Sequence, residues 1–176
     1  MTREKNAQEA SLSAEFIHAD IRDTNFSNEF DVVLNLADGA IGYLENDEEN
    51  LKIFDKIANA LKPGGKHLMD IVNAEHAMAY FPKQGWEIGE KALSLSLLEW
   101  DNETRKIIYA GWGVPYGLPA EKPVLEEGDS WRLYTKTELH AILNKRKMKI
   151  IDTFSNFYGK KDSVKELQLI VYSQKE

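Results

Sequence analysis

A chain of 176 residues with 43% hydrophobic and 29% charged side chains is long enough for one domain with a sizeable core, and too apolar to stay disordered. Its formal net charge of −7 argues against a nucleic-acid backbone as partner, and the lack of cysteine excludes disulfides, thiolate nucleophiles and cysteine-based zinc sites. No apolar run approaches the ~20 residues needed to cross a bilayer, and Met1 to Lys5 lead into polar sequence without a signal-peptide core, so a cytoplasmic location with no membrane partner is expected.

In chain order, residues 3–11 are helix-prone but short for a free-standing helix. Residues 14–19 read as a strand centred on Phe16 and Ile17, and Asp23 to Glu29 is polar turn chemistry. Residues 31–36 are a nearly continuous run of β-formers, as expected of a parallel strand covered on both faces. Asn46-Asp47-Glu48-Glu49 predicts a capping box, opening a helix on which Leu51, Phe54, Ile57, Ala58 and Leu61 recur at helical spacing. Pro63 and the paired glycines Gly64 and Gly65 should end that helix and turn the chain into a strand from Lys66 to Val72. Strand, helix, strand is a βαβ unit with a right-handed crossover.

The pattern changes after Tyr80. Residues 91–100 and 105–112 predict an antiparallel hairpin around Asp101-Asn102-Glu103-Thr104, and Pro115, Pro119 and Pro123 mark 115–128 as a loop. Thr135-Lys136-Thr137-Glu138 is a second capping box, opening a helix through Leu139, Ile142 and Leu143. Residues 149–155 and 167–172 close the chain as an antiparallel pair of strands. The basic runs Lys145-Arg146-Lys147 and Lys160-Lys161 read as solvated faces or helix ends.

In open α/β sheets, ligands bind outside the carboxyl ends of the strands. The residues in that position are Asp20 to Asp23, Ala37 to Tyr43, and Asn73 onward. They are acidic, small or amide-bearing, which suits a neutral or cationic ligand better than a polyphosphate. The four histidines show no metal-ligand spacing, so no metal is expected.

Four segments in order carry a family resemblance: Phe16 to Asp23, Phe30 to Leu36, Leu61-Lys62-Pro63-Gly64-Gly65-Lys66, and Trp131-Arg132-Leu133-Tyr134-Thr135-Lys136-Thr137-Glu138-Leu139. Together they resemble the class I S-adenosylmethionine-dependent methyltransferases, in the small-molecule branch with a β-hairpin insertion. The resemblance implies an α/β, Rossmann-like sheet, mostly parallel with an antiparallel closing strand, and residues 84–133 as a β-rich inserted lid within a single domain over 1–176. It implies S-adenosylmethionine as cofactor and a small-molecule acceptor. By the same likeness Asp20 and Ile21 form the adenine wall, Leu36, Ala37, Asp38 and Gly39 lie near the methionine part, and Tyr43, Asn73, Arg132 and Tyr134 face the acceptor. No catalytic base is implied.

The chain departs from the pattern at its start. The family's first strand ends in a Gly-x-Gly loop and its second in a ribose-binding acid, and neither has a counterpart here. Gly111-Trp112-Gly113 misses the dinucleotide spacing to Gly117 and lies in the insertion. The expectation is a truncated sheet, with 14–19 pairing directly with 31–36, swapping into a second copy, or lying against a partner. Each site residue also has a plainer reading: Asp20 as a turn cap, Tyr43 as packing, Asn73 as the cap of a helix from Ala74. The aromatics Trp86, Trp100, Trp112, Tyr116 and Trp131 form either a hydrophobic layer under the hairpin or a lid that excludes water. Two functions stay open: a methyltransferase acting on a small molecule, or a non-catalytic remnant that dimerises or completes a partner through its exposed sheet.

Overall fold

A computed structural model describes residues 3–38, 40–120 and 129–176. After a short helix α1 (Arg3–Glu9), residues 12–20 run without regular structure and are exposed. The strand expected over 14–19 is absent. Phe16 and Ile17 stand 44% and 57% exposed, and β-propensity alone does not make a strand when no neighbour accepts its hydrogen bonds. The direct pairing of this segment with 31–36 is not made: β1 has β2 as its neighbour in the sheet.

The βαβ unit forms as expected. Strand β1 (Phe30–Asn35) runs parallel to β2 (Leu61–Val72), with helix α2 (Asp47–Ala60) between them. Asn46 caps α2 by accepting from the Glu49 N–H at 3.0 Å, and Asp47, Glu48 and Glu49 face the positive end of the helix dipole. The expected box is half made, because the Glu49 carboxylate turns outward to Lys52 and Arg22. Leu61 leaves the helix and begins β2, five residues ahead of the strand start expected at Lys66. The register slips there: Phe30 pairs with Leu61 but Val32 pairs with Lys66. Gly65 permits this bulge, since a Cβ on it would lie 2.8 Å from the Lys62 carbonyl oxygen and 3.2 Å from that of Phe30.

The closing pair also forms. Strand β8 (Gln168–Lys175) lies antiparallel between β2 and β7 (Met148–Phe154), giving the mixed order β1-β2-β8-β7. Helix α4 (Lys136–Asn144) begins in a complete capping box, Thr135 with Glu138. α2 and α4 pack on one face of the sheet around Ile53, Phe54, Leu61, Met69, Leu139 and Leu143, each burial contributing about 1.5–3 kcal/mol. His67 sits in this core, fully buried, its Nδ1 3.2 Å from the Ser173 hydroxyl and its Nε2 without a partner among the described residues. Burial pushes its pKa down to about 4.

The expected hairpin is the middle of a larger sheet. β4 (Ala92–Asp101) and β5 (Lys106–Pro115) pair around a turn in which Asp101 accepts from the Glu103 N–H and the Thr104 hydroxyl. Two further strands, β3 (Lys83–Ile88) and β6 (Asp129–Arg132), flank them. Pro115 belongs to β5 and not to the loop expected over 115–128; of that loop, 121–128, with Pro123, lie outside the described residues. Helix α3 (Ala74–Tyr80) joins the two sheets. Its Ala74 and Ala77 pack with Ile107, Leu133, Trp100 and Trp131, whereas Trp86 and Tyr116 are 70% and 50% exposed. The five aromatics therefore divide: Trp100 and Trp131 pack on this core, Trp86 and Tyr116 stand in solvent, and Trp112 is half-buried.

Candidate functional site

The loop after β1 is tied down from three directions. The Asp38 N–H donates to the Asp70 carbonyl at 2.9 Å, and the Val72 N–H donates to Asp38 Oδ1 at 3.0 Å, which fixes the loop to the carboxyl end of β2. Asn50, 1% exposed on the inner face of α2, accepts from the Gly42 and Leu44 N–H groups at 3.0 and 3.1 Å. The Arg132 N–H in β6 donates to the Gly42 carbonyl at 2.9 Å. Gly42 has φ +91°, and a Cβ there would fall inside the Arg132 carbonyl, so only glycine allows this approach. Ala37, Asp38 and Ala40 hold φ of 54°, 60° and 64°, left-handed conformations that each cost about 1 kcal/mol or more. The anchors offset that strain.

What the anchors hold is a carboxylate beside a phenol. The Tyr43 hydroxyl donates to Asp38 Oδ2 at 3.4 Å, and the Tyr43 ring stacks on Trp131 with centroids 5.1 Å apart and planes 9° from parallel. Asp38 and Asp70 line a cavity of about 200 Å³ with Ala37, Val72 and Gln168, whose amide donates to Asp70 at 2.8 Å. Among the described residues, no cationic side chain lines it. Burial, with a smaller push from Asp70, raises the Asp38 pKa, and burial with the Asp38 charge raises the Tyr43 phenol to about 12. Tyr43 thus keeps its proton near neutral pH, and Asp38 is a readier proton acceptor than an ordinary carboxylate.

The remaining candidates lie in other settings. Asp20 caps a 3-10 turn (Ile21–Asp23) through the Arg22 N–H at 2.8 Å and pairs with the Arg22 guanidinium at 2.6 Å; that side-chain bond lowers its pKa to about 2. Arg22 bridges on to Glu45 and Glu49 at 3.1 and 2.9 Å. Ile21 lines a second, apolar cavity of about 280 Å³ with Phe26, Phe30, Val32 and Ile57. Leu36, 43% exposed, follows β1 between the two cavities in sequence. Gly39 lies outside the described residues.

Asn73 is 2% exposed; its carbonyl accepts from the Glu75 N–H at 3.1 Å and its amide donates to the Ser163 and Glu166 carbonyls. It caps α3 and joins that helix to the 163–167 loop. Tyr134 is 2% exposed in the core, with its hydroxyl on Asp47 at 3.1 Å. Arg132 stacks 4.5 Å over the Tyr134 ring and pairs with Glu138 at 2.6 Å. Burial alone would raise Glu138, but the Thr135 N–H, Arg132 and the Thr135 hydroxyl together hold it at about 2. The structure therefore gathers Asp38, Tyr43 and, through Gly42, Arg132, and sets Asp20 and Ile21 apart. Sequence reasoning missed Gly42 and Asn50. Asn50 had a signal, an amide at i−3 and i−4 from Ile53 and Phe54 on the apolar face of its helix.

A family model described as a methyltransferase domain matches residues 1–69. Among solved structures, an S-adenosylmethionine-dependent methyltransferase from Clostridium acetobutylicum superposes with a TM-score of 0.75 at 16% identity, over 98% of this chain and 69% of that one. The CcbJ methyltransferase from Streptomyces caelestis superposes at 0.79 with 14% identity, over 99% of this chain and 73% of that one. The fold is that of the class I S-adenosylmethionine-dependent methyltransferases. CalS10 from Micromonospora echinaspora, an amino pentose methyltransferase solved with S-adenosylmethionine bound, shares this methyltransferase fold at a TM-score of 0.59 and 12% identity, over 90% of this chain and 63% of its own. No curated protein matches the chain. Among the described residues, no helix is long and apolar enough to cross a membrane and no group of three or more side chains could hold a metal ion.

Proposed function

We propose that the chain takes part in S-adenosylmethionine-dependent methyl transfer to a small molecule in the cytoplasm, with Asp38 and Tyr43 at the reacting end. The observation that carries this reading is the anchored loop after β1, which presents a carboxylate and a protonated phenol at the carboxyl edge of a methyltransferase-like sheet. The lining fits the cationic groups of the cofactor: two carboxylates and, among the described residues, no cation line the cavity, matching the ammonium and the sulfonium of its methionine end. When bound, that sulfonium supplies the methyl group and its own leaving group.

The chain's own residues then bind and orient. Asp38, Ala37 and Leu36 hold the methionine end, and Asp20 and Ile21 the adenine. Tyr43 holds its proton at the hydroxyl and aligns the acceptor, and Asp38 takes the proton an attacking group releases. Arg132, Tyr134 and Asn73 serve the acceptor side by fixing the loop, the first turn of α2 and the end of β2. Residues 84–133 act as the lid, reaching the loop through Trp131. Calorimetry with S-adenosylhomocysteine tests this. Saturable binding that Asp38→Asn weakens about tenfold is expected; no heat at millimolar ligand overturns it.

A second reading has its own observation. Phe30, Val32 and Leu34 of the edge strand β1, and Leu36 just after it, stand 39–61% exposed, a surface that favours a non-catalytic assembly through this sheet, as a homodimer or with a partner. Light scattering that shows a dimer, together with no ligand heat, would select it.

A further inference from the structure

The anchored loop meets the inserted sheet at the Tyr43–Trp131 stack, and that stack brings a further carboxylate with it. Trp131 is the third residue of β6, so its side chain leaves the strand on the same face as that of Asp129, two positions earlier. Asp129 thus comes from the inserted sheet to the phenol that Asp38 approaches from the loop. The electrostatics agree: burial, then the charge and hydrogen bond of Asp38, and last the charge of Asp129 hold the Tyr43 phenol at about 12. All three groups are open to a ligand, since Asp129 and Tyr43 are exposed and Asp38 is half-buried. Tyr109, opposite Asp129 on β5, is 39% exposed and adds a second aromatic ring on this face. The arginines closest in sequence are committed elsewhere: Arg132 pairs with Asp47 and Glu138, and Arg105 with Glu138.

We propose that the methyl acceptor is an amine, held as its ammonium between Asp129 and Asp38, and that Asp129 is the residue that selects it. This inference rests on the methyl-transfer reading above and names the acceptor class for the same site. The amine reacts in its neutral form. Its nitrogen lone pair forms the N–CH3 bond as the methyl–sulfur bond breaks, the electrons of that bond staying on sulfur, and the new ammonium gives one N–H proton to Asp38. Positive charge thus moves from sulfur to nitrogen, and the carboxylates face a cation before and after the transfer. A phenolate or carboxylate acceptor would instead add negative charge among Asp38, Asp70 and Asp129. A neutral alcohol would have to lose its proton during the attack, to a carboxylate that is a weak base for that task. The site selects by charge, with carboxylates set against anionic acceptors.

The test is an NMR titration of the Tyr43 ring in the full chain at pH 7 and constant ionic strength, with benzylamine, benzyl alcohol and benzoate as probes of one shape and three charges. Saturable shifts are expected for benzylamine, about tenfold weaker binding for benzyl alcohol, and no saturation for benzoate. Asp129→Asn should weaken benzylamine about tenfold and leave both the benzyl alcohol affinity and the melting temperature unchanged, since the side chain is exposed and the amide has the same shape. Benzyl alcohol or benzoate binding as tightly as benzylamine, no saturation with benzylamine, or an Asp129→Asn variant that binds the amine like the parent overturns the proposal. The titration needs no methyl donor, so its outcome separates from that of the calorimetry. Heat with S-adenosylhomocysteine but no preference for the amine sinks this inference alone; the preference without that heat sinks the methyl-transfer reading and leaves an amine-binding site.

Discussion

A methyl group added at Gly42 would meet the Arg132 carbonyl on a backbone already in the left-handed region, so Gly42→Ala must push β6 away from the loop or unwind the loop itself. A loss of about 2 kcal/mol or more in urea unfolding is expected, with the loss of Tyr43–Trp131 stacking visible as a change in aromatic circular dichroism. His67 gives a pH dependence whose sign follows from its burial. Its folded pKa of about 4 lies below the ordinary 6.5, so the unfolded chain binds the proton first as pH falls. The stability it contributes is complete above pH 6.5 and is lost on descent to pH 4, about 3 kcal/mol in all. Glu138, held down at about 2 from 4.5, adds its own loss only below pH 4.5. Unfolding free energies measured between pH 7 and 4.5 should therefore slope in the parent and flatten in His67→Gln, which keeps a partner for Ser173 without titrating.

The two N-capped helices offer a comparison at the next scale. Thr135 is reciprocated by Glu138, which also engages Arg132 and Arg105, whereas Asn46 receives nothing back from Glu49. Thr135→Ala is expected to cost more than the ~1 kcal/mol of an ordinary cap and Asn46→Ala about that amount, in paired chemical denaturation experiments. Both helices were legible in the sequence, because a cap followed by an apolar period of 3.6 is a local signal. β1, the hairpin β4–β5 and the closing strands β7 and β8 were legible for the same reason. β3 was not: Gly85 and Glu87 interrupt its alternation, and its pairing with β4 is decided by the partner. β6 spans four residues, too few to show a period. The false strand at 14–19 errs the other way, with good β-formers and nothing beside them. At the candidate site, Asp38 and Tyr43 could be placed from their position after a strand. Gly42 and the donors that Asn50 serves depend on how closely β6 and α2 approach, which no short window of sequence reports.

For the molecule as a whole, the informative contrast is between the two faces and edges of the main sheet. One face is sealed by α2 and α4; along β1 the other presents Phe30, Val32 and Leu34 to solvent beside an unpaired edge. Lysines at Val32 and Leu34 should abolish self-association in light scattering while changing unfolding free energy by no more than about 0.5 kcal/mol, as for other exposed substitutions. If instead they unfold the chain, that face is covered in solution by something this structure does not contain. The strand order has a bearing on how the molecule is made. β8, translated after the other strands of this sheet, occupies an interior place between β2 and β7, and its Leu169, Ile170 and Val171 are at most 1% exposed. β1, α2 and β2 must therefore wait for residues a hundred positions downstream before their core can close, a high-contact-order step that slows maturation. The meander of β3, β4 and β5, whose partners are neighbours in sequence, can assemble while the ribosome is still at work. The chain is built from its middle outward.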